Sequence, residues 1–394
     1  MADKQKTRTL AKTTLDVSRQ SIAIIPILIL YLLSREKIYL DVALVTSATT
    51  LASACVLLGI NFVVMLRNRK SHIDIAAGYL ISISPFAGCI AFVLIGLSGH
   101  VFQLSLLTIW LLVASEVVFA LIQQTLSRYA LAEWKIAPLL LANVISPVVR
   151  ALLLVSLALF PGAEVFAAGY LIAQLIFSAL IMRGCSITLV FGFRTDRGFI
   201  QMIKIGLPNW LSSLGVTAMD NLAVIFIIQI FDPALAATII LMLRVYGAAG
   251  TPVQSVAALR LTSQPTSAKR ELQSATVLGV GAALFGYISL ICLDMLFPAG
   301  NSHFYILGLT LFAFSLLRAL SSFLGNFFTV IGSPWIRVWG SMIGVMVLVC
   351  TFMYSKLFQS SERGVGDAVL PILAAEISLL VILLISIPKG SKTI

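Results

Sequence analysis

Residues 75–97 read IAAGYLISISPFAGCIAFVLIGL and contain no charged side chain. A stretch of about 20 apolar residues is long enough to cross the roughly 30 Å hydrocarbon core of a membrane as an α-helix. The rest of the 394-residue chain has the same character, because 59% of its residues are hydrophobic and only 11% are charged. Since a soluble domain carries about 25% charged residues, the composition indicates that lipid surrounds most of this protein.

Hydropathy predicts an all-α polytopic membrane protein with about twelve transmembrane helices. The predicted spans are 17–33, 41–66, 75–97, 101–126, 137–160, 164–183, 205–231, 233–258, 273–297, 303–330, 336–358 and 368–388. The apolar run of the first span has no small-residue cleavage site. We therefore interpret it as a retained helix and not as a signal peptide.

Basic residues alternate between the two sides of the predicted membrane. One side receives 20 Lys and Arg residues, Arg337 among them, and the other has only Arg35, Lys37, Lys356 and Arg363. Cytoplasmic loops collect Lys and Arg, so the first side is predicted to be cytoplasmic, with both termini on it. The net charge of +11 then reflects the Lys and Arg residues that orient the helices in the membrane. We expect no nucleic-acid partner, since the basic residues form no continuous face.

The longest predicted cytoplasmic loop, 184–204, divides the chain into halves. We predict an N-terminal six-helix lobe at 1–190, a cytoplasmic linker at 191–204 and a C-terminal six-helix lobe at 205–394. Many transporters are built from two such halves. The loops are short and contain no phosphate-binding G-x-x-x-x-G-K-[ST] motif, so we expect no enzyme activity. We also expect no cofactor and no metal, because the three histidines are far apart in the sequence.

Six ionisable residues lie near the middles of predicted spans: Glu116, Arg150, Asp220, Arg244, Arg318 and Glu376. Each costs about 2.5–3.5 kcal/mol at a helix centre, so such residues normally face a bundle interior or an aqueous cavity. At 1.5 Å per residue, Asp220 and Arg244 lie at equal depth and are expected to pair. Whether that pair serves transport or only fixes helix register stays open.

The same depth count separates the other charges. It places Glu116 and Arg150 about 7 Å apart in depth, so their pairing needs a long Arg reach. It places Arg318 and Glu376 about 10 Å apart, so we expect no direct contact between them. A guanidinium without a carboxylate at mid-membrane is suited to bind an anion, because its planar fork matches phosphate and never loses its proton. Arg150 and Arg318 are therefore predicted to line an anion-binding cavity.

Residues 204–260 read KIGLPNWLSSLGVTAMDNLAVIFIIQIFDPALAATIILMLRVYGAAGTPVQSVAALR. The segment combines a basic start, Gly206-x-Pro208, a Ser-rich stretch, Asp220-Asn221 at mid-helix, a short acidic turn and Pro252. In these features it resembles the opening of the second half of Wzx-type polysaccharide (O-antigen) flippases of the multidrug/oligosaccharidyl-lipid/polysaccharide exporter superfamily. Two features depart from that pattern: Asn221 stands where relatives often have Arg, and 236–238 replace a common Gly-x-Tyr.

The resemblance implies translocation of an undecaprenyl-diphosphate-linked oligosaccharide across the bacterial inner membrane by alternating access. It implies that the substrate-binding residues are Arg150, Arg244 and Arg318, and that Glu116, Asp220, Asn221 and Glu376 balance their charge or carry a coupling proton. The implied partners are the lipid-linked oligosaccharide, membrane lipid and, in contact with the flippase, a polysaccharide polymerase. The alternative is an ion-coupled drug or metabolite antiporter of similar fold, which predicts an acidic cavity poor in arginine.

Overall fold

The computed structural model describes residues 36–60, 70–99, 103–133, 135–160, 164–189, 197–260, 267–296, 303–358 and 365–387, with a few isolated positions before 36. Throughout these ranges the chain forms helices joined by turns, and none of the described residues is in a β-strand. The predicted span 17–33 lies outside the continuous ranges and stays a prediction.

The described residues up to 230 form eight α-helices. They are α1 (Glu36–Val56), α2 (Lys70–Ser98), α3 (Leu106–Val117), α4 (Gln124–Ala132), α5 (Ile136–Leu140), α6 (Ser146–Leu159), α7 (Glu164–Gly184) and α8 (Arg197–Ile230). A π-helical turn, Val118–Gln123, joins α3 to α4, and a second, Leu141–Ile145, joins α5 to α6. The segments on either side of each π turn therefore run on as one long helix.

The described residues after 230 form six further α-helices. They are α9 (Pro233–Ala249), α10 (Thr251–Arg260), α11 (Ala268–Leu296), α12 (His303–Val330), α13 (Pro334–Phe358) and α14 (Val365–Ile385). Asp232 caps α9, because its side chain accepts hydrogen bonds from the backbone N–H groups of Ala234 and Leu235 at 3.1 Å. The short acidic turn in the sequence is thus a helix cap.

Ten helical segments within the described ranges are long and apolar enough to cross a membrane. They correspond to ten of the twelve predicted spans, which confirms the all-α polytopic membrane fold. The predicted span 233–258 differs, because α9 ends at Ala249 and α10 begins after Gly250. The break falls just before Pro252, which lies in the first turn of α10, where the backbone N–H that proline lacks would have no helical partner.

The described residues form two compact units, one within 21–229 and one within 230–394. In both units the outward side chains are large and apolar, such as Leu97 at 74% exposure, Val165 at 77% and Val277 at 73%. This is the surface expected of helices that face lipid. The predicted lobes 1–190 and 205–394, and the cytoplasmic position of both termini, stay predictions.

Helix α1 lies in the core of the first unit, where 83% of its most apolar window is buried. The hydroxyls of Thr46, Thr49 and Thr50 donate hydrogen bonds to carbonyls of their own helix, as Thr49 does to Val45 at 2.7 Å. At the other end, the Asp41 carboxylate accepts hydrogen bonds from the backbone N–H groups of Gln103 and Leu104 at 2.9 and 3.0 Å. These bonds hold the connection between α2 and α3 against the start of α1.

The end of α1 touches the start of α8 through two glycines. A Cβ on Gly59 would lie 2.5 Å from the Gly206 carbonyl oxygen, and one on Gly206 would lie 2.8 Å from the Gly59 oxygen. Gly59 also has φ of +75°, which disfavours other residues. Beside this contact, the Trp210 indole donates to the carbonyl of Ala54 at 2.7 Å. The Gly206-x-Pro208 feature of the sequence therefore serves a close backbone crossing.

Candidate substrate-binding site

A charged cluster lies inside the first unit, between α3, α6 and α7. Arg150 on α6 contacts Oε1 of Glu116 on α3 through both Nη2 and Nε at 2.9 Å. The Tyr170 hydroxyl on α7 donates to the same oxygen at 3.0 Å. The Arg150 guanidinium also lies 5.4 Å from the centre of the Phe119 ring, within the range of a cation–π contact. Both charged side chains are nearly buried, at 13% and 6% exposure.

A second polar cluster in the same unit was missed by the sequence analysis. The Gln123 amide nitrogen donates to both the backbone oxygen and Oε1 of Gln174, at 3.0 and 2.7 Å. The Ser146 hydroxyl lies 2.8 Å from Gln123 Oε1 and 3.1 Å from Gln174 Oε1. Among the described residues, Nε2 of Gln174 has no partner. The available signal was the presence of two glutamines inside apolar runs.

The two π turns lie beside these clusters. In each, an N–H bonds to the carbonyl five residues earlier, from Gln124 to Phe119 and from Ser146 to Leu141. Such turns are rare in proteins, but those that do occur are often found at functional sites. Here they occur on the two helices that carry Glu116 and Arg150, so the ion pair sits where the helical ladder is irregular.

A corresponding ion pair lies inside the second unit. Nη1 of Arg318 on α12 forms a salt bridge to Oε1 of Glu376 on α14. Ser321, one turn after Arg318, donates its hydroxyl to the other carboxylate oxygen of Glu376 at 3.1 Å. The side chains are 11% and 2% exposed. Each unit therefore contains a buried Arg–Glu pair whose carboxylate also accepts from a hydroxyl.

The depth count from the sequence was wrong for Arg318 and Glu376, which do meet, and the Glu116–Arg150 pairing that it left open also forms. Neither Arg150 nor Arg318 therefore lacks a carboxylate. Helix α12 begins at His303, as predicted, but α14 begins at Val365 rather than 368, so Arg318 and Glu376 differ in depth by only about 6 Å. Glu116 lies about 24 Å from the end of α4 at Ala132, and Arg150 lies about 21 Å from the start of α5 at Ile136. The long Arg side chain spans the depth that remains in each pair.

A third arginine, Arg337 in the first turn of α13, was counted in the sequence analysis only as a loop charge. Its Nη1 donates to Oδ1 of Asn326 on α12 at 2.8 Å. Arg337 also lies within electrostatic range of Arg318. No signal in a single sequence separates this inward-turned side chain from an ordinary cytoplasmic arginine, because the direction is set by tertiary packing.

The remaining predicted site residues lie on α8 and α9. Asp220 is exposed, whereas Asn221 is buried and donates to the carbonyl of Thr217 in its own helix at 2.8 Å. Arg244 on α9 is partly buried. Asp220 belongs to the first compact unit and Arg244 to the second, so their predicted pairing stays a prediction.

Among the solved structures that resemble the chain over nearly its whole length are two multidrug transporters and a lipid flippase. An inward-facing multidrug resistance MATE transporter of the MOP superfamily matches with a TM-score of 0.57 and 14% identity, over 96% of this chain and 93% of that one. The MATE multidrug transporter DinF-BH gives 0.60 and 13%, over 97% and 94%. The lipid II flippase MurJ in an inward closed conformation gives 0.51 and 13%, over 98% and 87%.

The chain has the same fold as these three proteins. No protein-family model and no curated protein matches the sequence. The shared fold accommodates both drug transporters and a lipid flippase among these three structures, and none of the three is a Wzx-type flippase. The fold is therefore compatible with both functions that the sequence left open, a lipid-linked oligosaccharide flippase and a drug or metabolite antiporter. The charges inside the helix bundle have to distinguish between these two functions.

Proposed function

We propose that the protein translocates an undecaprenyl-diphosphate-linked oligosaccharide across the bacterial inner membrane by alternating access. The observation that carries the proposal is a nearly buried guanidinium inside each compact unit, Arg150 and Arg318. Buried charges inside a membrane bundle are costly and usually mark a substrate pathway. A diphosphate crossing the membrane needs cationic partners at depth, whereas its polyprenyl chain can stay in lipid.

The hydroxyl groups beside each pair make an exchange of partners feasible. When an Arg guanidinium turns to a phosphate, its glutamate loses the strongest contact. Glu116 would then keep the Tyr170 hydroxyl, and Glu376 would keep the Ser321 hydroxyl. These residual hydrogen bonds lower the cost of leaving a carboxylate without its cation. Glu116 and Glu376 thus balance the arginines while the transporter is empty.

The other predicted residues remain part of the proposal. Arg244 is proposed as a third contact for the diphosphate, and Asp220 and Asn221 as charge-balancing or coupling groups. The MurJ structure supports the cargo class, since that neighbour of the same fold is a flippase of lipid II. The bacterial inner membrane as the location and contact with a polysaccharide polymerase are proposed on the Wzx-type resemblance of 204–260.

A second candidate is export of a cationic drug or metabolite, favoured by the two MATE neighbours and by the buried carboxylates of Glu116 and Glu376. The two candidates differ in the sign of the charge that contacts the cargo. An anionic cargo requires the arginines, and a cationic cargo requires the glutamates.

The test compares removal of the carboxylate alone with removal of both charges of a pair. In a strain lacking the gene, surface polysaccharide is measured after complementation with Glu376→Gln, with the double variant Arg318→Gln/Glu376→Gln, and with the matching changes at Glu116 and Arg150. We expect the single Glu→Gln variants to retain more surface polymer than the double variants, because only the double variants remove the phosphate contact.

Protein levels are compared by immunoblot, and Arg270→Gln, which removes an exposed basic residue on α11, serves as the matched control. Full surface polymer in both double variants at normal protein level would contradict the proposal. Cationic-drug sensitivity of the deletion strain, rescued by neither single Glu→Gln variant, would instead support the antiporter.

A further inference from the structure

Arg337 is held in an unusual way for an arginine near the end of a membrane helix. Its side chain crosses Gly325 on α12, where an added Cβ would lie 2.8 Å from both Cδ and Nε of the arginine. Beyond Gly325 the guanidinium meets the Asn326 side chain, whose oxygen accepts from Nη1 at 2.8 Å. Because Gly325 has no side chain, it leaves room for the Arg337 side chain to pass, and the Asn326 amide holds the guanidinium in place.

The partner of Arg337 is neutral, in contrast to those of the other interior arginines described above. Arg150 and Arg318 each contact a glutamate. Arg337 forms no salt bridge with a carboxylate among the described residues, and the nearby charge that acts on it is the positive charge of Arg318. Within the part of the chain that the structure describes, Glu376 pairs with Arg318 and no carboxylate forms a salt bridge with Arg337, so no direct partner balances the positive charge of Arg337.

A partly buried cation beside a like charge is unfavourable unless an anion compensates it. An arginine has five N–H donors in a planar fork, and Asn326 occupies one of them. The others can form the paired contacts that guanidinium makes to phosphate oxygens. A neutral partner orients such a fork without neutralising it, which is what an anion-binding site needs.

We infer that Arg337, oriented by Asn326 and Gly325, forms a binding site for the diphosphate group of a long-chain lipid at the end of the bundle where α12 and α13 meet. Arg337 lies three residues after the start of α13, about 4.5 Å along the helix axis. That end is predicted to be cytoplasmic, so the site is where the cargo first meets the protein. Only the cargo's identity as a lipid-linked oligosaccharide rests on the proposed function.

The experiment measures ligand binding to the purified full-length protein in detergent. Farnesyl diphosphate is the probe, and farnesol, inorganic pyrophosphate and phosphatidylglycerol are the comparison ligands. The key variant is Asn326→Asp, which keeps the size of the side chain and places a carboxylate beside Arg337. Because the new pair is expected to preserve the fold, this variant avoids the risk that Arg337→Gln fails to fold. Arg270→Gln is the matched control.

The inference predicts that farnesyl diphosphate binds the wild type and Arg270→Gln alike. Asn326→Asp, and Arg337→Gln where it folds, should weaken the binding by roughly tenfold or more, because a charge-assisted contact is lost. Gly325→Ala should also weaken it, since the arginine keeps its charge but is displaced. Farnesol should not bind at this site.

The inference would be overturned if farnesyl diphosphate did not bind the wild type, or if Asn326→Asp bound farnesyl diphosphate with unchanged affinity. Pyrophosphate binding as tightly as farnesyl diphosphate would indicate a soluble phosphate ligand, and equal competition by phosphatidylglycerol would indicate a phospholipid headgroup. If binding depends on Asn326 and Arg337 while the gene deletion leaves surface polysaccharide intact, the diphosphate site stands and the proposed function fails.

Discussion

At the scale of single residues, interior arginines fall into two kinds according to their partners. Arg150 and Arg318 face glutamates that cancel their charge, and Arg337 faces a neutral amide. A guanidinium that is paired with a carboxylate must lose that partner before it can bind an anion strongly. A guanidinium with a neutral partner can bind an anion without such a loss. Under the proposed function, this difference suits a cargo that meets Arg337 first and exchanges with the Arg318–Glu376 pair of the same unit afterwards.

The Glu116–Arg150 pair gives a residue-scale prediction about stability. Glu116→Ala leaves the Arg150 guanidinium buried without a carboxylate, and breaking such a pair typically costs about 3–5 kcal/mol. The double variant Glu116→Ala/Arg150→Ala leaves no unpaired charge and should unfold at a higher temperature than Glu116→Ala alone. Tyr170→Phe removes one hydrogen bond, worth about 1 kcal/mol, and should lower the midpoint only slightly.

Thermal unfolding of the detergent-purified proteins checks this ranking. If the double variant unfolds at or below the midpoint of Glu116→Ala, the two side chains are not energetically coupled and the ion pair is not the reason that Arg150 is tolerated in the bundle.

At the scale of helices, the crossing of α1 and α8 depends on two glycines rather than on apolar side chains. Small residues let membrane helices approach closely, and backbone contacts then replace side-chain packing. The segment 204–260 carried the family resemblance in the sequence, and its Gly206 lies at this crossing. A feature that suggested function by similarity therefore also has a local structural reason.

Gly206→Ala tests that crossing. Its Cβ would lie 2.8 Å from the backbone oxygen of Gly59, which cannot move aside as a flexible side chain would. Overpacking of this kind costs about 1–3 kcal/mol, so we expect a lower unfolding midpoint and less folded protein. Gly88→Ala on α2 is the matched control, because a Cβ there meets nothing within 4 Å. Equal midpoints for the two variants would show that the close contact is absent in solution.

At the scale of the whole molecule, the sequence predicted the membrane fold well, because the positions of apolar runs are local properties. It placed most spans within a few residues of the observed ones. The depth count built on these spans still separated Arg318 from Glu376, which are in contact, because the predicted start of α14 was three residues late and the reach of the Arg side chain was left out. The π turns and the inward direction of Arg337 were beyond sequence reasoning, since both depend on packing between helices.

The interior chemistry also went beyond the ionisable residues. Gln123, Ser146 and Gln174 form a polar layer in the first unit, although none of them carries a charge that would mark it in an apolar run. Attention to charged residues alone therefore finds the ion pairs and misses the neutral polar groups that are packed in the same unit.

The most direct test of the central claim locates the lipid-linked oligosaccharide across the membrane. In cells depleted of the protein, an impermeant reagent that modifies the sugar is added from outside, and the modified fraction is measured. We predict that the precursor accumulates unmodified on the cytoplasmic leaflet, and that the wild type restores modification whereas Arg318→Gln/Glu376→Gln does not. Outward appearance of the precursor at the normal rate in depleted cells would contradict the account.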